Sequence, residues 1–114
     1  MKLKIFIGMI LALISNVCLA SQGTEVGYVE KLLVHNSTEG QTVLVSLDGN
    51  KVGGFCSHPN EEWHIALGND ASKTQYSLLL SSYLTGKKVK LWGNGVADCI
   101  GSRENIRNIE IVLP

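Results

Sequence analysis

Beyond residue 24 the chain is written mostly in period two. Residues 25–36 carry Val26, Tyr28, Leu32 and Val34 on one parity and Val29 and Leu33 on the other. That pattern predicts a long strand that bends and changes its buried face, with Gly27 as the pivot. Residues 37–40 (STEG) read as a turn, after which Val43, Val45 and Leu47 alternate cleanly over residues 41–47. Asp48-Gly49-Asn50 is the strongest hairpin signal, because Asp-Gly supplies the positive φ angles of a tight turn. The returning strand is expected from Lys51 to Cys56. A polar loop (SHPNEE, residues 57–62) interrupts it before Trp63, Ile65 and Leu67 alternate again.

One helix is expected next. Asn69 or Asp70 caps it, and Tyr76, Leu79, Leu80, Tyr83 and Leu84 fall at the spacing of a single apolar stripe. Gly86 stands where a left-handed C-terminal residue stops a helix. Residues 87–92 form a strand with Val89 and Leu91 inward and Lys88 and Lys90 outward. Residues 93–102 form a glycine-rich loop carrying Cys99, and residues 105–113 close the chain as a strand with Ile109, Ile111 and Leu113 alternating. The order β-β-β-α-β-β is the plan of a small OB-like five-stranded barrel, mainly β with one helix. The competing arrangement is an open α+β sheet with the helix laid across it.

The first twenty residues follow a different rule. Lys2 and Lys4 precede a ten-residue apolar run (residues 5–14), and Cys18-Leu19-Ala20 places small side chains at a signal-peptidase site. Residues 1–20 therefore read as a signal peptide and residues 21–114 as a single domain. The apolar run is too short to span a ~30 Å hydrocarbon layer. Acylation of Cys18 is the lipoprotein alternative, but β-branched Val17 fits poorly before such a cysteine. The expected location is periplasmic or secreted, with no membrane span.

Cleavage changes the charge and the cysteine count. Of ten Lys and Arg, Lys2 and Lys4 are lost, leaving eight against ten Asp and Glu, a formal charge of about −2. That balance argues against nucleic acid as a partner. Lys87, Lys88 and Lys90 are read as solubilising lysines in or beside a strand. Cys56 and Cys99 remain as an even pair, and an oxidising compartment favours their bridging. A metal site from Cys56, His58, His64 and Cys99 has no familiar ligand spacing, so no metal and no cofactor are expected.

Cys56-Ser57, Trp63 to Leu67, Tyr76 to Leu80, Gly86 to Val89, Trp92-Gly93 and Cys99 follow one another in an order that resembles a group of small exported proteins of Gram-negative bacteria. The resemblance covers roughly residues 25–113, and its motifs specify packing and the cysteine pair. In architecture the chain is more distantly similar to the B subunits of AB5 toxins, OB-folds that form pentameric rings and bind cell-surface glycans. No glycan-contacting motif matches residue by residue, so none is carried over.

Catalytic constellations are thin. No G-x-S-x-G motif exists, His35 and His64 sit at strand positions, and Glu61 and Glu62 are neighbours in sequence, unlike carboxylates that face each other across a cleft. Gly93-Asn94-Gly95 lacks the helix and lysine of a phosphate loop. The expectation is a non-enzymatic binding module for a glycan or a protein partner, with contacts at Trp92, Asn94 and Asp98 on the glycine-rich loop. An envelope-structural or inhibitor protein is the alternative, and a small hydrolase stands third. A homo-oligomeric ring would accompany the glycan reading, a monomer the inhibitor reading.

Overall fold

The computed structural model describes residues 22–37, 40–96 and 99–114. The signal peptide assigned to residues 1–20, the cleavage site at Ser21 and the candidate Asp98 lie outside the described residues. Six strands and one helix are arranged as β1 (Thr24–Ser37), β2 (Gly40–Leu47), β3 (Trp63–Ala66), α1 (Asp70–Thr85), β4 (Lys88–Gly93), β5 (Cys99–Ile100) and β6 (Arg103–Ile111).

The strands form one sheet in the order β3-β2-β1-β4-β6-β5, and a further β3–β6 pairing bends it into a ring. Every pairing is antiparallel except that closing one, where Trp63 lies beside Glu104 and His64 beside Asn105. β1 serves two neighbours in turn: residues 24–28 pair with β4 and residues 29–37 with β2. The irregularity in this strand is a register shift between Val29 and Lys31, where its partner changes, rather than at Gly27. Gly27 is instead a point of close approach, because a Cβ there would collide with the Asp48 carboxylate and the Gly49 backbone.

Two sequence expectations change here. Residues 51–56 do not return as a strand; only an isolated bridge joins Thr24 to Val52. Asp48 makes no hairpin turn because its groups extend the ladder. Its backbone N–H donates to Tyr28 O at 3.0 Å, and its Oδ1 accepts from the Tyr28 N–H at 2.7 Å. β2 therefore reaches β3 through the long connection of residues 48–62. The tight turn occurs at Gly101-Ser102, where φ values of 56° and 63° join β5 to β6. Two successive positive φ angles are what a two-residue hairpin of the twisted-sheet type requires.

The core is aliphatic with one large aromatic. Val29, Val43, Val45, Leu47, Trp63, Ile65, Leu79, Val89, Leu91 and Ile106 are buried together, and the alternation of β2 and β4 supplies most of them. α1 is capped as expected: Asn69 Oδ1 accepts from the Ser72 N–H at 2.9 Å, and Gly86 ends it at φ 67°. Its buried face is rotated from the expected stripe. Leu79 and Ser82 point in with Tyr76 half-buried, whereas Tyr83 and Leu84 are 52% and 72% exposed. Inward Ser82 is tolerated because its hydroxyl donates to Leu78 O within the helix, at 2.8 Å.

Candidate binding site

Trp92 stands on the outer face of β4, since Val89, Leu91 and Gly93 take the inward parity. Its neighbours follow from strand register. On β1, Val26 pairs with Lys90 and Tyr28 with Lys88; on β6, Glu110 pairs with Lys90 and Asn108 with Trp92. Lys88, Lys90 and Trp92 thus form a central row flanked by Val26 and Tyr28 on one side and Asn108 and Glu110 on the other. Lys90 Nζ lies 4.7 Å from the Trp92 ring centroid, and Lys88 Nζ lies 5.5 Å from that of Tyr28. Both ammonium groups are within cation–π range.

Half-buried Trp92 forms one wall of an open groove of about 420 Å³. Thr74, Gln75 and Leu78 of α1 form one side and residues 107–110 of β6 the other. Gln75 Nε2 donates to Arg107 O at 2.7 Å, tying helix to strand at the groove floor. A second groove of about 260 Å³ lies at the other end of the lysine row, bounded by Tyr28, Gly86, Lys87, Lys88 and Leu113. The partners of Trp92 are thus helix and β6 residues. Asn94 is half-buried beyond the end of β4 and does not line that groove. Sequence reasoning missed Gln75, Arg107, Asn108 and Glu110, because nothing in one strand's pattern tells which helix face will settle against it.

At the opposite side of Gly93 the molecule is built around buried charge. Glu104 opens β6 facing inward, 2% exposed, with its carboxylate crowded by Gly23, Gly54 and Gly93. Its Oε1 accepts from the backbone N–H groups of Phe55 (3.1 Å) and Cys56 (3.3 Å) and meets Lys51 Nζ at 3.1 Å. Lys51 Nζ also donates to Cys56 O at 2.6 Å and lies 5.2 Å from the Trp63 ring centroid. Glu25 Oε1 accepts from Trp63 Nε1 at 2.9 Å. Burial is the largest influence on Glu25 and pushes its pKa up to about 7; Glu61 and Asp48 add to the rise, while the Trp63 N–H and Lys51 oppose it. Glu62 behaves oppositely: hydrogen bonds from Lys31 and Arg103, both at 2.8 Å, hold it below the usual carboxylate range despite burial.

The disulfide expected between Cys56 and Cys99 is present, with 5.7 Å between the Cα atoms, and it staples the 48–62 connection to β5. Glu25, Lys51 and Glu104 were not singled out by sequence, where each reads as an ordinary surface charge. The available signal was Glu25 at an inward parity and glycines at 23, 54 and 93. Among the described residues no group of three or more His, Cys, Asp or Glu has the geometry to hold a metal ion. His58 Nε2 sits 3.6 Å from Glu62, but no nucleophile is hydrogen-bonded to it among the described residues. No described helix is long and apolar enough to cross a membrane.

Set beside known proteins, the chain matches no family model, no curated protein and no solved structure.

Proposed function

We propose that this chain is a non-enzymatic binding module that takes a glycan along the outer face of β1, β4 and β6. The observation that carries this reading is the half-buried Trp92 walling an open groove in which apolar Leu78 and Ile109 alternate with the polar side chains of Gln75, Arg107, Asn108 and Glu110. A flat aromatic surface edged by hydrogen-bonding groups suits a pyranose ring, which has apolar faces and hydroxyls around its rim. The ring-like sheet with a helix between β3 and β4 supports an OB-like barrel as the scaffold. The resemblance in strand order to the toxin B subunits, read from the sequence, is an analogy of fold that points the same way. The disulfide and the N-terminal apolar run support export to the periplasm or beyond.

Trp92→Ala tests the site. Binding on an array of defined oligosaccharides should weaken by about tenfold or more, while the melting temperature stays close to that of the parent. A large fall in melting temperature with unchanged binding would assign Trp92 to packing and remove the site.

A protein partner is the second reading, and one observation favours it. Beyond Tyr28, β1 pairs only with β2 among the described residues, and consecutive Leu33 and Val34 are both exposed there. A strand with one free edge and apolar side chains on both faces is suited to strand addition by a partner. Leu33→Lys separates the readings: it should abolish capture of a protein partner and leave glycan binding intact.

A further inference from the structure

We infer that the saccharide taken on this face is polyanionic, carrying a negative group on successive sugars, and that Lys88 and Lys90 read that charge. The inference rests on the glycan reading above and adds the ligand's chemical class.

The cations of the chain are unevenly paired. Lys31 and Arg103 are ion-paired with Glu62, and Lys51 with Glu104, all on the staple side of the molecule. Of the other described cations, Lys73 stands apart on α1, and Lys87, Lys88, Lys90 and Arg107 also have no carboxylate within ion-pair distance among the described residues. The latter four belong to the face or rims just described, as strand register and groove lining place them. Among the described residues, the cations of the staple side are ion-paired, whereas this face carries more positive than negative side chains. Glu110, across from Lys90 in register, is the acidic group within that surface.

A protective role does not account for these lysines. Lysine guards a sheet edge by discouraging another strand from pairing there. β4 has no such edge, since β1 covers one side and β6 the other over nearly its whole length. Exposed Lys88 and half-buried Lys90 lie on the outer face, each with its ammonium group over an aromatic ring. That placement restricts the flexible stems and reduces the ordering cost when an anion arrives.

Spacing indicates a chain rather than a point anion. Residues two apart on a strand face are about 7 Å apart, and Lys88 to Trp92 spans about 13 Å. The grooves at Trp92 and Tyr28 continue the row in both directions. A single phosphate or carboxylate would engage one lysine and leave the rest of the surface unused. A neutral glycan could use the Asn108 amide and the remaining Gln75 groups at Trp92, but it would leave the ammonium groups of Lys88 and Lys90 without a charged partner. Nucleic acid is disfavoured because it needs a broader basic footprint than this one, interrupted by Glu110, on a chain of formal net charge zero.

The test uses titration calorimetry of the folded, disulfide-intact protein with oligogalacturonate, its carboxyl-reduced neutral counterpart, a sulfated oligosaccharide of equal length and an oligothymidylate. The acidic saccharides should bind about tenfold or more tightly than the neutral one, and raising salt should narrow the gap. Lys88→Gln/Lys90→Gln should erase that preference without changing the melting temperature, and Lys88→Arg/Lys90→Arg should retain it. Equal affinity for the charged and neutral chains overturns the inference and leaves the glycan module standing. Binding of none of the saccharides overturns both. Preferential binding of oligothymidylate with a steep salt dependence replaces the saccharide with nucleic acid.

Discussion

Glu25 is a carboxyl group placed where an aliphatic residue would be expected, and its environment defines its titration. It is 2% exposed and faces the Trp63 indole N–H, Lys51, Glu61 and Asp48. With a folded pKa of about 7 against an ordinary 4.5, the folded protein holds a proton that the unfolded chain releases. The stability this contributes is complete below about pH 4.5 and is lost as pH rises through 7, a change of about 3 kcal/mol. Glu62 works in the opposite sense: its pKa is lowered by Lys31 and Arg103, so its contribution is present above 4.5 and lost as acid protonates it. Denaturation by urea across a pH series should therefore show greatest stability between these limits, in mildly acid solution. Glu25→Gln should flatten the neutral limb, since an amide oxygen still accepts from Trp63 and carries no charge. An unchanged slope between pH 5 and 8 would count against Glu25 as its source.

At the scale of elements, the 48–62 connection is the part that local pattern described least well. It crosses from β2 to β3 without regular structure, yet Asp48, Lys51, Cys56 and Glu61 fasten it. Lys51 N–H donates to Glu61 Oε2 at 3.3 Å, and Cys56 is bonded to Cys99. Opening a crosslink that closes a loop of 43-residue separation should cost about 4 kcal/mol by the chain-entropy relation. Denaturation of a Cys56→Ala/Cys99→Ala variant measures it directly. Gly93 matters for a different reason. A Cβ there would overlap the Glu104 carboxylate, which cannot swing away while Lys51, Phe55 and Cys56 hold it. Gly93→Ala should therefore destabilise the protein by about 2 kcal/mol or more, whereas Gly68→Ala, with open space around it, should be nearly neutral.

The whole molecule is a ring of strands closed where Trp63 lies beside Glu104. That single seam joins the core aromatic, the buried lysine and two buried carboxylates, so closure and charge burial are one structural event. Trp63→Phe keeps most of the apolar volume but removes the indole N–H that partners Glu25. It should lower stability more at pH 8 than at pH 5, because only the ionised carboxylate is left strongly undersolvated. The same closure separates the charges: among the described residues, acids bind their cations on the staple side, while the lysines on the outer face of β4 have aromatic neighbours and no ion pair.

Much of this was legible in one dimension. Period-two alternation identified β2 and β4, Asn69 and Gly86 bounded the helix, and the two cysteines beyond the N-terminal apolar run pointed to the disulfide, because these depend on local periodicity, capping chemistry and the number of partners available. The inward Glu25 and Glu104, the rotated helix face, and the Gly101-Ser102 hairpin in place of one at Asp48-Gly49 were decided by partners distant in sequence. A carboxylate's burial depends on a lysine from another segment and on glycines that clear its space, and a turn signal yields when its aspartate finds a strand to extend. Trp92 was visible as a candidate, but its groove was not, since only tertiary packing sets α1 against β6. The sequence by itself determined which segments alternate, cap and crosslink; the tertiary structure determined which charges are neutralised inside and which are left facing water.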